Sequence, residues 1–130
     1  MWRGALCLLL VTLGCARNTA PRQPESLRDY ELVVEGRDSL RDAFAAALRH
    51  AHFHVRRALK GAGPPAAGLV LFSFHEPDST SQEWLHARFF DTRTGVIVAA
   101  ASIPLDSTTQ GARARAQALV GALTSRRPTP

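Results

Sequence analysis

Three histidines alternate along one short stretch of the chain, namely His50, His52 and His54. Imidazole nitrogens are common ligands of copper and zinc. On a strand, His52 and His54 share a face, whereas on a helix His50 and His54 stand one turn apart. Either geometry brings two imidazoles together, so the pattern indicates a candidate copper or zinc site.

Two ligands rarely complete a metal site, and a third would have to come from His75, His86 or Glu76. The sequence alone does not place these side chains relative to the three histidines. The alternative interpretation is an exposed histidine cluster on a basic face, without a bound metal.

Hydroxyl and carboxyl side chains lie near histidines along the chain, but no catalytic motif organises them. No nucleophile elbow, phosphate loop or paired-carboxylate spacing surrounds Glu76, Glu83 or Ser102. Because catalysis needs a cleft and a small domain offers little from which to build one, we expect no enzyme and no cofactor. A hydrolase of the cell wall or of lipid remains a hypothesis for which the sequence nominates no residues.

The start of the chain has the layout of a secretory signal. Arg3 gives a cationic beginning, residues 4–13 are mostly apolar, and the small residue Gly14 precedes Cys15. The apolar run is well short of the roughly 20 residues that a membrane-spanning helix needs. We therefore predict an exported protein with residues 1–14 as its signal peptide.

The segment Val11-Thr12-Leu13-Gly14-Cys15 resembles the lipobox of bacterial lipoproteins. This resemblance implies that Cys15 receives a diacylglyceryl group and becomes the acylated N-terminus after cleavage. In that family an aspartate after the cysteine commonly retains the protein at the inner membrane, and here the residue is Ala16. The resemblance thus implies an outer-membrane lipoprotein, palmitate-bearing, facing the periplasm. The alternative is a secreted small domain without lipid.

Composition limits what the mature chain can be. Of the 130 residues, 14 precede Cys15, and the remaining 116 suffice for one modest domain. The formal charge of +5 falls to +4 without Arg3, and the arginines are spread along the chain among acidic residues. We therefore expect a solvated surface and no nucleic-acid partner.

The mature chain divides into three parts. Residues 15–28 carry two prolines and no apolar period, which predicts a lipidated N-terminus and tether. Residues 29–124 form the predicted single domain, and residues 125–130 a loose tail. With the tether and anchor in place, the metal hypothesis becomes a periplasmic copper- or zinc-binding lipoprotein.

The domain opens with a predicted strand and helix. Residues 30–35 are rich in strand formers and end at Gly36. Asp38 or Ser39 can cap a helix whose apolar residues recur at helical spacing, namely Leu40, Phe44 and Leu48. Residues 50–60 fit either a continuation of this helix or a strand, and the strand is favoured because it buries Phe53.

The second half contains three predicted strands and a helix. A run at 69–74 is followed by a hairpin of 84–90 and 96–103, in which Asp91 starts the turn and Gly95 supplies a positive φ. Thr108 or Thr109 then caps a final helix with the apolar stripe Ala112, Ala116, Leu119, Val120 and Leu123.

This order predicts an α+β fold with a mainly antiparallel sheet of four to five strands and both helices on one face. The lipobox followed by this order is similar to the small domains of curli-secretion and penicillin-binding-protein-activator lipoproteins. The similarity is one of layout over residues 30–124. It implies assembly or accessory binding at the envelope, with another envelope protein as partner, and no site.

One strand carries a candidate contact surface. Alternation places four side chains on one face of it, namely Trp84, His86, Arg88 and Phe90. Its other face carries Leu85, Ala87 and Phe89, so each face has an aromatic residue. If one face forms the core, the other can remain exposed for contact with a partner.

Overall fold

The computed structural model describes residues 24–75 and 81–125, so the predicted signal peptide, Cys15, Glu76 and the last five residues lie outside the described part. The described residues form two helices and five strands, with a short turn of 3-10 helix at Leu27–Asp29 before the first strand and another at Ser107–Thr109 before the last helix. Their bounds are β1 Glu31–Val33, α1 Ser39–His50, β2 His54–Arg56, β3 Ala66–His75, β4 Glu83–Asp91, β5 Ile97–Leu105 and α2 Gly111–Ser125.

The five strands form one sheet in the order β2-β1-β3-β4-β5. β1 is parallel to both β2 and β3, whereas β3, β4 and β5 are antiparallel neighbours. The predicted α+β class is confirmed; the sheet is mixed rather than purely antiparallel, since its two short pairings are parallel and its two long ones antiparallel. The physical reason is that α1 carries the chain back across the sheet, so β2 enters beside β1 in the same direction.

Helix α1 has clear signals at both ends. The predicted cap at Asp38 is confirmed, since its carboxylate accepts from the Arg41 backbone N–H at 2.9 Å. At the other end, Phe53 N–H donates to Leu48 O and His52 N–H donates to Arg49 O, both at 3.0 Å. This is the Schellman arrangement, and it gives His52 a left-handed φ of 65°.

The segment after α1 is a strand, as favoured from the sequence. Phe53 is buried, and the strand spans only three residues, His54–Arg56. The helix ends at the Schellman turn, before Phe53. A continued helix would place Phe53 on the solvent side, whereas here it is buried. Phe53 also receives the Arg28 guanidinium, whose carbon lies 4.6 Å from the ring centroid.

The hairpin turn is also as predicted. Asp91 N–H donates to Val96 O and Gly95 N–H donates to Asp91 O, both at 2.8 Å. Gly95 has a φ of 72°, the left-handed value that glycine adopts without strain. The register shifts by one residue at Phe89–Phe90, a bulge that accommodates the extra residue of β5.

The predicted cap of the last helix is wrong. Thr108 and Thr109 belong to a separate 3-10 turn capped by Asp106, and α2 begins only at Gly111. Asp106 accepts from the Thr108 N–H at 2.8 Å, while the Thr109 hydroxyl accepts from the Asp106 N–H at 2.9 Å. This reciprocal capping box holds the threonines outside the helix.

Both helices cover the same side of the sheet, as predicted. The Phe44 ring of α1 stacks on Phe89 of β4 with centroids 6.2 Å apart, and Leu119 of α2 is fully buried in the same cluster. The tether is predicted to run as far as Arg28, whereas Leu27 already packs against this core and Arg28 donates to Ala51 O at 3.1 Å. Leu27 and Arg28 are therefore part of the folded domain rather than of the tether.

Candidate interaction surface

The side of the sheet away from the helices is here called the outer face. It is formed mainly by the three long strands β3, β4 and β5. The β3–β4 pairing places Phe74 beside Trp84, Phe72 beside His86 and Val70 beside Arg88. We define the outer face by eight side chains: Val70, Phe72, Phe74, Trp84, His86, Arg88, Phe90 and Ile97. The four residues proposed from the sequence, on β4, lie together on it.

Much of this face is open to water. Phe74 is 52% exposed, Val70 45% and Ile97 53%, although each sits in a regular strand. Large apolar side chains at such exposure cost free energy in an isolated domain, and contiguous ones mark sites of contact. The outer face is therefore the strongest candidate for a docking surface within the described residues.

A stack of polar and aromatic groups occupies the centre of the outer face. The Phe72 ring and the His86 imidazole lie nearly parallel, with centroids 5.0 Å apart and an interplanar angle of 19°. The guanidinium carbon of Arg88 lies 5.0 Å from the Phe72 centroid. His86 Nδ1 is within 2.6 Å of the Ser102 hydroxyl on β5, which fixes the imidazole plane.

Cations on this side of the sheet differ in whether they are paired. Arg56 of β2 forms an ion pair with Glu31 of β1. Within residues 24–75 and 81–125, Arg88 makes no ion pair and its side chain is exposed. Arg88 thus offers a positive charge to whatever approaches the outer face.

Phe90 closes one end of the outer face by lying over a glycine. A Cβ placed on Gly68 would come within 2.6 Å of Phe90 Cζ. Only a glycine lets the ring lie this close to the backbone of β3. Gly68 is buried although it lies on the outer face, because the Phe90 ring covers it.

The candidate metal ligands are spread over three local structures. His50 ends α1, His52 occupies the left-handed turn and His54 begins β2, and all three are exposed. Of the further ligands considered, His86 is engaged with Ser102, and Glu76 lies outside the described residues. No group of three or more His, Cys, Asp or Glu in the described part of the chain is arranged to hold a metal ion.

A groove runs between α1 and α2, on the side of the molecule opposite the outer face. It has a volume of about 560 Å³ and a floor of small side chains from both helices, among them Ala43, Ala47 and Val120. His50 and Arg113 also line it. No sequence pattern predicts this groove, because it depends on how α1 and α2 pack.

The β3 contribution to the outer face was missed from the sequence. Val70, Phe72 and Phe74 alternate with Leu69 and Leu71, so both faces of the strand look apolar. One signal could have found these residues. A strand that is apolar on both faces has more apolar side chains than one core face needs, so its second face is a candidate contact surface.

No protein-family model, curated protein or solved structure matches this chain. Across residues 24–75 and 81–125, no helix is both long and apolar enough to cross a membrane. What the chain does is therefore inferred from its own residues and their geometry.

Proposed function

We propose that this chain is a lipoprotein anchored through Cys15 to the periplasmic side of the outer membrane, where it binds or scaffolds another envelope protein without catalysis. The outer face is the docking surface in this proposal. In this proposal the lipid on Cys15 localises the protein to the membrane, and the outer face recognises the partner.

The observation that carries the proposal is the exposure of the outer face. Both helices pack on the other side of the sheet, around Phe44, Phe89 and Leu119. The uncovered side presents Phe74 at 52% exposure with Trp84 as its cross-strand neighbour, and it carries Arg88 four residues further along β4. Aromatic residues and arginine are the types enriched in protein interfaces and their hot spots.

The anchor is supported by the sequence alone. Gly14 and Cys15 match the two strictest lipobox positions, and a polar segment with two prolines separates them from Leu27, which packs against the core. A tether of this kind holds a domain near a membrane while leaving its faces accessible. Two or more acyl chains give stable attachment, whereas one alone binds marginally.

Site-specific photocrosslinking in intact cells tests the docking role. A benzoylphenylalanine replaces Phe74 on the outer face, and the matched control carries it at Ala46, which is exposed on the helix side. We expect a discrete adduct with one envelope protein from position 74 and not from position 46. Absence of any adduct at position 74, or the same adducts from both positions, contradicts the proposal.

A further inference from the structure

We infer that Arg88 is the anchoring point for a carboxylate, and that the partner is a protein segment presenting an acidic residue beside an apolar one. This inference rests on the proposed docking role of the outer face and adds the chemistry of the partner. It identifies Arg88 as the specificity-determining residue of that surface.

The Arg88 side chain is already in contact with an aromatic ring in the unbound protein. Its guanidinium carbon lies 5.0 Å from the centroid of the Phe72 ring. The Phe72 ring in turn stacks on the His86 imidazole. Stacking on an aromatic ring restrains a guanidinium while leaving its edge N–H donors free for a carboxylate. A restrained guanidinium loses less side-chain entropy when it binds.

The charge on Arg88 is not neutralised within the described residues. On this side of the sheet the acidic strand residue is Glu31, and Arg56 already pairs with it. Binding a carboxylate at Arg88 therefore breaks no ion pair among residues 24–75 and 81–125, and the pairing gains from partial desolvation by the partner.

The surroundings of Arg88 are apolar and set the second requirement. Its cross-strand neighbours are Val70, 45% exposed, and Ala100 of β5. Phe74 continues the exposed apolar surface along β3. A segment that carries only acidic residues would leave this surface uncovered, so an apolar side chain next to the carboxylate fits best.

Charge also argues against the other occupants. A second copy packed through the same face would bring two Arg88 side chains into one interface, and the described strand residues of this side add no acidic group besides the paired Glu31. The charged residues in the undescribed ends after Cys15 are all basic: Arg17, Arg22, Arg126 and Arg127. An acidic partner is the complementary one.

The direct test is a titration of the full-length chain, purified in detergent, with synthetic copolymers followed by NMR amide shifts. The probe is a glutamate–tyrosine copolymer, compared with polyglutamate and with a lysine–tyrosine copolymer. We expect the first to bind most tightly and to shift amides of β3 and β4. Arg88→Gln should weaken this binding by about fivefold at low salt, as an exposed ion pair of about 1 kcal/mol implies.

The control is Arg49→Gln, which removes an exposed arginine from α1 and should leave the affinity unchanged. Arg88→Lys should fall between wild type and Arg88→Gln, since lysine keeps the charge but not the planar stack. Equal binding by wild type and Arg88→Gln overturns the inference. So does equal binding of the lysine copolymer, Arg88-dependent binding to phosphatidylglycerol vesicles, or a dimer that forms through the outer face.

The two proposals can fail separately. If the adduct from position 74 persists unchanged in Arg88→Gln cells, the outer face docks a partner but Arg88 does not select it. If position 74 gives no adduct while the copolymer titration succeeds, the charge preference stands and the docking role fails.

Discussion

The Tyr30 hydroxyl donates a hydrogen bond to Asp91 Oδ2 at 3.0 Å, joining the start of β1 to the β4–β5 turn 61 residues later. Both side chains are fully buried. The other carboxylate oxygen, Oδ1, accepts from the Arg93 and Thr94 backbone N–H groups at 2.8 and 3.3 Å. One buried carboxylate therefore fixes the turn and ties it to the sheet.

Removal of the Tyr30 hydroxyl should destabilise the domain measurably. Tyr30→Phe keeps the ring and its packing but leaves Asp91 Oδ2 without this donor. A hydrogen bond to a buried charged group contributes about 1.5–3 kcal/mol, so we expect a loss in that range at neutral pH. Urea unfolding of both proteins measures it. A difference below about 0.5 kcal/mol would show that the bond contributes little.

The same pair predicts a pH dependence of stability. Burial raises the pKa of Asp91, but hydrogen bonds from Arg93, Tyr30 and Thr94 outweigh it and hold the pKa below the ordinary value of 3.8. A carboxyl with a lowered folded-state pKa stabilises the fold above its unfolded-state pKa, and this contribution is lost as the pH falls through the folded-state pKa.

The stability gap between wild type and Tyr30→Phe should therefore be full above the ordinary aspartate pKa and shrink in more acidic buffer. Denaturation at a series of pH values from neutral downward measures it. A gap that stays constant down to the lowest pH at which both proteins fold would contradict the role assigned to the ionised carboxylate.

His52 should be replaceable by glycine with a gain in stability. Its φ of 65° costs a residue with a side chain about 1–2 kcal/mol, and glycine adopts it freely. We expect His52→Gly to stabilise the domain by up to about 1 kcal/mol, with His54→Gly, in β2, as a destabilising comparison. The melting temperatures of the two variants decide it. A loss of stability in His52→Gly would mean that the imidazole makes a contribution larger than the strain.

Gly68→Ala should disturb the outer face through Phe90. The added Cβ would meet Phe90 Cζ at 2.6 Å, so the ring must rotate off β3. Overpacking of this kind costs about 1–3 kcal/mol, and the low end applies here because the ring tip can move. The Gly68→Ala, Phe90→Leu double variant should recover part of the loss. If the double variant loses the full sum of the two single changes, the contact is not the cause.

Much of the fold could be predicted from local sequence signals. The cap at Asp38, the apolar spacing of Phe44 and Leu48, and the turn between Asp91 and Gly95 all depend on neighbours a few residues away. Such interactions can be recognised without knowing where other elements lie.

The features that were missed depend on distant pairing or on backbone geometry. The parallel placement of β1 between β2 and β3 follows from the path of α1, which no local pattern encodes. The turn at His52 lacks the glycine that usually marks it. The outer face was half recognised, since alternation identified Arg88 and Trp84, while Phe74 and Val70 became visible only through the β3–β4 register.

The proposed role depends first on the membrane address, and labelling with radioactive palmitate tests it most directly. Cells expressing wild type or Cys15→Ser are labelled and fractionated. Because Cys15 lies in the predicted polar tether and outside the predicted domain of residues 29–124, its loss should not unfold the domain. We predict that wild type incorporates label and stays with outer membranes in high salt, whereas Cys15→Ser incorporates none. Unlabelled wild type that washes off with salt would contradict the lipoprotein account.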